Sequence, residues 1–214
     1  MNSSEDRLTK AAWFKSHTET FSASPLKLQK FLFFYEMFAK VEQEEYDLSY
    51  LRAYPNGPVF SNTYGDLRYN QTEFFAALDS VKDFSIIREK IARAALMLVN
   101  TFTDTEISDL THRLDLWKSK EELIQKGQRC ITIFESDITD KDVDTISSLY
   151  DEYAYLSNQG FKVFSMLEKI FIISPEDFNE LTEQHHEIIE LLSQDRNLDN
   201  PVYLELDDGV LLID

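Results

Sequence analysis

Residues 24 to 42 read SPLKLQKFLFFYEMFAKVE, and this run constrains the fold more than any other in the chain. Ser24 followed by Pro25 is the pattern of an N-cap with proline at the first helical position, where the missing N–H has no partner to lose. Leu28, Phe31, Leu32, Tyr35 and Phe38 recur at helical spacing, and Phe33, Phe34 and Met37 fill the other sides. A helix that is apolar nearly all round has no face to offer water, so other elements must cover it. No stretch is apolar over the roughly 20 residues a membrane span needs, so the cover has to come from the rest of the chain. With only five Gly and five Pro in 214 residues, that cover reads as helices rather than a sheet sandwich. The expected fold is mainly α: a compact helical domain with a small amount of β structure, plus a C-terminal helix and β-hairpin.

Helical periodicity is expected over Arg7 to Phe21, Pro58 to Tyr69, Gln71 to Ser80, Ser85 to Thr103 and Asp104 to Trp117, the last with Asp104 as N-cap. Ser119 with Glu122 and Thr139 with Asp142 read as capping boxes, and Gly127 as a helix stop. Tyr46 to Tyr54 and Cys130 to Phe134 read as extended. After the break at Asn158-Gln159-Gly160, Phe161 to Ile173 reads as helical, although FIIS at its end also suits a strand. Ser174-Pro175 repeats the cap-plus-proline start, for a helix with an apolar stripe of Phe178, Leu181, His185, Ile188 and Leu192. The tail VYLELDDGVLLID reads as a hairpin around Asp208-Gly209. The division expected is an N-terminal helix (1–21), a helical domain (22–155) and an acidic extension (156–214).

The sparse backbone punctuation is concentrated in one place: AYPNGPVFSNTYGDLR, residues 53 to 68, holds Pro55, Gly57, Pro58 and Gly65. Residues before proline avoid the α region, so Tyr54 and Gly57 are pushed extended. Asn56 between them tolerates unusual dihedrals. The expectation is a stiff strand-to-helix corner, with Gly57 as N-cap and Pro58 at the first helical position.

Several pieces in order give the chain a resemblance. They are Lys27-Leu28-Gln29-Lys30-Phe31-Leu32-Phe33, then Ala53-Tyr54 and Gly57-Pro58-Val59 with Tyr64, then Thr111-His112 with Trp117, then Ile131 and the helix after Thr139. Over roughly residues 25 to 153 this resembles the Panacea (antitoxin SocA-like) domain family of bacterial and phage proteins. Tyr54 stands where that family often has Trp, and Arg113-Leu114-Asp115-Leu116 departs from its pattern. The resemblance implies a compact helical domain that binds rather than catalyses. Members neutralise a cognate toxin by direct contact, or act as adaptors delivering a client to a protease. It also implies a partner surface at Tyr54, Asn56, Gly57, Pro58, Val59, Tyr64, Thr111, His112 and Trp117.

His185-His186 with Glu183 and Glu187 looks like a ligand set, but adjacent helical residues point about 100° apart and there is no HExxH spacing, so no metal is expected. Cys130, the single cysteine, is expected to be a buried thiol. It has no His–Asp partner in sequence, and a lone cysteine excludes a disulfide framework. Gly57 and Gly65 are followed by no Gly-Lys-Ser/Thr, so no phosphate loop and no cofactor is expected. A hydrolytic enzyme using His112 is the alternative from another class. Its bland counterpart is a His112 that packs beside Trp117 and bonds a backbone carbonyl.

Charge divides unevenly. Residues 1–134 hold 17 Lys+Arg against 19 Asp+Glu, a net of −2, and residues 135–214 hold 4 against 20, a net of −16. A basic face limited to Lys82, Arg88, Lys90 and Arg93 is too little for nucleic acid. The acidic part suits a basic partner, such as a toxin with a positive face. Glu183, Glu187 and Glu190, recurring at helical spacing, are the carboxylates expected to meet it. The N-terminus lacks an apolar signal segment, so a cytoplasmic protein is expected.

Overall fold

A computed structural model describes residues 1–18 and 24–213. Its organising element is the apolar helix predicted from sequence. Helix α2 (Pro25–Val41) is capped by Ser24, whose hydroxyl accepts from the Lys27 N–H. Phe31, Phe33, Phe34, Tyr35 and Phe38 are fully buried. Four helices form its surround. Helices α1 (Glu5–His17), α5 (Glu89–Thr101) and α8 (Asp140–Asn158) pack on it directly, and α4 (Gln71–Ser80) packs on α1. Ala92, Ala94 and Ala95 on α5 are small enough to let its backbone close on α2 and α8. From α8, Ile146, Tyr150 and Tyr153 complete that side.

The surround is also tied by charge. Glu36, fully buried on α2, accepts from Arg7 Nη1 (3.3 Å) and Lys10 Nζ (2.7 Å) of α1. Its other oxygen accepts the Asp47 N–H, and Arg7 reaches the Asp47 carboxylate and carbonyl. Removing one partner of such a cluster strands a buried charge, so it holds the register of α1 on α2 more firmly than it adds net stability.

Two small sheets complete a mainly α protein. The first, ordered β2-β1-β3, comprises β1 (Leu51–Tyr54), β2 (Gly57–Phe60) and β3 (Ile131–Thr132). The second, ordered β4-β5-β6-β7, comprises β4 (Lys162–Met166), β5 (Lys169–Ile173), β6 (Val202–Asp207) and β7 (Val210–Ile213). Strands β5 and β6 run parallel, joined by a crossover through α9 (Pro175–Glu180) and α10 (Glu183–Ser193). Phe171, Ile173, Ile189, Val202 and Leu204 form a second, smaller core beneath that sheet. On β4, Val163 packs against the large core while neighbouring Phe164 packs against the small one, as strand alternation dictates.

Several expectations are corrected. Residues 161–173 are a hairpin, not a helix: Val163, Ile170, Ile172 and Ile173 suit a pleated surface, and Leu167 takes φ +52 in the turn. The C-terminal part is therefore a four-stranded sheet with two helices, larger than a helix and hairpin. The helix after Ser174 breaks at Leu181, and Thr182 caps a new one, so the stripe from Phe178 does not run through. In α10 it is His185 and Ile189 that are buried, and Ile188 is exposed. Helix α5 begins at Glu89 rather than Ser85. Thr103, not Asp104, caps α6 (Asp104–His112), in a reciprocal box with Glu106. The chain then bends at Arg113-Leu114 into α7 (Asp115–Gln125), and Ser119 and Glu122 lie inside that helix instead of boxing its start. The first helix stops at His17, where Thr18 turns extended, short of the expected Phe21, and residues 19–23 lie outside the described ones. The hairpin at Asp208-Gly209 and the box of Thr139 with Asp142 are present as read.

Candidate functional site

The punctuated stretch is a β-hairpin, not a strand-to-helix corner. Tyr54 pairs with Gly57 and Ala53 with Pro58, leaving Pro55-Asn56 as the tip. Pro58 is tolerated because β2 is an edge strand, where a missing N–H breaks no ladder bond. Gly57 takes φ +100, a region open to glycine alone at low cost. Helix α3 (Ser61–Tyr69) starts three residues later than the corner reading placed it.

Beneath the tip lies Lys30 of α2, with its side chain fully buried. Its Nζ donates to the Asn56 carbonyl (2.7 Å) and to Thr111 Oγ1 (2.8 Å), and Thr111 in turn donates to the Ser108 carbonyl (2.9 Å). No carboxylate shares this pocket among the described residues, and burial pushes the Lys30 ammonium down to about 7. A Cβ on Gly57 would overlap both Lys30 Nζ and Thr111 Oγ1. The glycine is thus required twice, by its dihedral and by its neighbours. Trp117 of α7 donates its indole N–H to the Tyr54 carbonyl (2.9 Å). His112 stacks on Trp117 with ring centroids 3.8 Å apart. Burial, then the nearby Lys30 charge, lower the His112 pKa, against the pull of Asp109, the Pro55 carbonyl and Glu121. The His112 Nε2 is buried without a hydrogen-bond partner.

On the other side of the hairpin a groove of about 860 Å³ opens between α2, the hairpin and α3. Tyr54 and Tyr64 line it with ring centroids 5.3 Å apart. Gly65 on its wall has nothing within 4 Å of a built Cβ. Arg68, Tyr69, Arg129 and Cys130 form its exposed rim. Burial and a hydrogen bond with Cys130 push the Tyr54 phenol pKa up. The expectation of a buried Cys130 is overturned: the thiol is exposed, because the residue sits at φ +65 just ahead of a two-residue edge strand.

The predicted site residues thus fall into two places. Tyr54, Asn56, Gly57, Pro58, Val59, Tyr64, Thr111, His112 and Trp117 converge on the hairpin. Gly57, Pro58, Val59, Thr111 and Trp117 are buried there as supports, while Asn56 is exposed and Tyr54, Tyr64 and His112 are half-buried. Glu183, Glu187 and Glu190 are exposed on α10, beside the other core. No hydrogen bond or ion pair joins them to the hairpin among the described residues. His185 is no ligand: its Nδ1 accepts the Thr182 N–H (3.2 Å), which leaves Nε2 to donate to the Gly209 carbonyl (3.1 Å). No group of His, Cys, Asp and Glu among the described residues is placed to hold a metal. Sequence reasoning did not assign Lys30 or Gln29 a part in the site. The signal was a lysine and a glutamine inside a helix that has no wet face.

No helix among the described residues is long and apolar enough to cross a membrane. No family model matches the chain, and neither a curated protein nor a solved structure matches it.

Proposed function

We propose that this is a non-enzymatic binding protein of the Panacea (antitoxin SocA-like) kind, which occludes a cytoplasmic partner protein such as a toxin through the face around the Tyr54–Gly57 hairpin tip. The observation that carries this reading is the bracing of that tip. Lys30 of α2 and Trp117 of α7 donate to carbonyls of the tip, and Thr111 of α6 holds the Lys30 ammonium in place, all from beneath it. A stiff, exposed tip loses little conformational freedom on association, which favours binding. The same observation weighs against a hydrolase built on His112. Its Nε2 is buried, its ring lies flat on Trp117, and the carboxylate recorded beside it, Asp109, is 3.9 Å away. A general base has to reach its substrate's proton.

The test is purification of the tagged protein from its native cells, identification of what accompanies it, and assay of that protein's activity with and without this one. Wild type should bring down one partner in stoichiometric yield and silence it. Asn56→Arg, at the exposed tip, should melt like wild type and bind at least about tenfold more weakly, as a mismatched group in an interface centre does. A protein that elutes alone, or an Asn56→Arg variant that silences the partner equally well, would refute the reading.

A further inference from the structure

The groove between the hairpin and α3 is the chemical exception on this molecule. The chain carries a net −18, yet no Asp or Glu lines this groove, and two arginines stand on its rim. Neither Arg68 nor Arg129 has a carboxylate partner among the described residues, which is equally true of Arg52, Arg113 and Arg196, but these two stand on a groove that no Asp or Glu lines. Arg68 instead lies over the Tyr69 ring, 5.8 Å from its centroid. Gln29 on the wall is held in place by β2. Gln29 is 2% exposed and its Oε1 accepts the Phe60 N–H (3.0 Å), which fixes the amide's orientation. The other end, Nε2, has no hydrogen-bond partner and is closed to solvent. Guanidinium forks and tyrosine rings together make a surface for carboxylates carried next to aromatic or aliphatic side chains.

We infer that this groove takes an extended acidic segment of the partner protein, its carboxylates set against Arg68 and Arg129 and an apolar side chain laid on Tyr54 and Tyr64 beside Gly65. The inference rests on the partner-binding reading above and names the segment that the hairpin side receives. It also gives the molecule two docking chemistries, since the acidic helix α10 suits basic surface and this groove suits acidic surface.

Cys130 makes the groove directly observable, because it is the chain's single cysteine and stands exposed on the rim. The experiment follows the rate of its alkylation by N-ethylmaleimide in the full chain. The probe is an acetylated, amidated peptide of glutamate, leucine and tyrosine, compared with the same peptide carrying lysine for every glutamate. The readout is the ratio of rates with and without peptide, which cancels any effect of a substitution on the thiol itself. The acidic peptide should slow alkylation about tenfold at saturation and the lysine peptide should not. Two charge-assisted contacts support an affinity loss of about tenfold or more when both are removed. Arg68→Ala/Arg129→Ala should therefore lose the protection while melting like wild type, both side chains being exposed. The proposal is overturned if both peptides protect equally, if neither protects, or if the double variant is still protected. Protection that grows with the protein's own concentration, without peptide, would assign the groove to a second copy and overturn it as well. If a silenced partner is found that leaves Cys130 fully reactive, the binding function stands and this assignment of the groove falls. If the acidic peptide protects but no partner accompanies the protein, the groove stands and the binding function is what falls.

Discussion

Two residues under the hairpin tip make opposite demands on the chain. Gly57 is there for what it lacks. Any Cβ would meet Lys30 and Thr111, and φ +100 strains an L side chain on its own. Gly57→Ala should lower stability by at least about 1–3 kcal/mol, the scale of a strained backbone position before the overlap is added. Urea unfolding of the variant with an unchanged midpoint would show that the tip tolerates a side chain. Lys30 is there for its donors, at the expense of its charge. In the unfolded chain it titrates near 10.5, and in the folded protein at about 7. Between those values the unfolded state holds a proton that the folded state has released, so raising the pH favours the fold. The slope reaches at most about 1.4 kcal/mol per pH unit, and Lys30 adds none below about pH 7, where both states are protonated. Lys30→Met should flatten the rise in stability between about pH 7 and 10 relative to wild type, although it also loses two hydrogen bonds. Parallel stability–pH curves for the two proteins would remove Lys30 as the cause.

At the scale of elements, the joints between helices are made by groups distant in sequence. Helix α7 has no capping side chain of its own at Leu114. The Asp115 and Leu116 N–H groups donate instead to Asp142 on α8, at 2.6 and 3.0 Å. The same carboxylate accepts the Thr139 N–H (3.1 Å) and so closes its own helix's box. Asp142 therefore caps two helices at once and is 1% exposed. Asp142→Ala should cost about 1–4 kcal/mol, one cap for each helix start. It should also speed hydrogen exchange at the Asp115 and Leu116 amides more than at the centre of α2. A variant that loses stability without that local gain in exchange would place the effect in packing instead. Ser24 works similarly at smaller scale: its hydroxyl caps α2 and donates to Asp104 at the start of α6 (2.8 Å), which brings the ends of α2 and α6 together behind the hairpin.

At the scale of the molecule, the acidic excess sits in the part built around the second core. Glu183, Glu187 and Glu190 are exposed on α10 and have no ion-pair partner among the described residues. An unneutralised face of this kind steers a basic partner and raises its association rate at low salt. Once the partner is in hand, its association rate should be slower for Glu183→Gln/Glu187→Gln/Glu190→Gln than for wild type at low ionic strength. The difference should shrink at physiological ionic strength, where the screening length is about 8 Å. Equal rates for the two proteins at both salts would assign this charge to solubility alone.

By itself the sequence determined the elements whose signal is local. The all-round apolar α2 could only be a buried centre, Thr139 with Asp142 could be read as a box, and Asp208-Gly209 as a tight hairpin turn. Proximity in the chain carries those signals, and periodicity or a side chain three residues away is enough to express them. The tertiary structure decided whatever depends on partners far along the chain. KVFSMLEKIFII became a hairpin because β6, some thirty residues on, gives β5 a parallel neighbour. The stretch at Gly57 became a hairpin because Lys30, Thr111 and Trp117 hold its tip from below. The residues that the resemblance groups do meet at the hairpin, but the sequence does not show which of them are surface and which are support. Burial depends on what packs above each residue, and the groove with its two arginines exists only where α2, the hairpin and α3 meet.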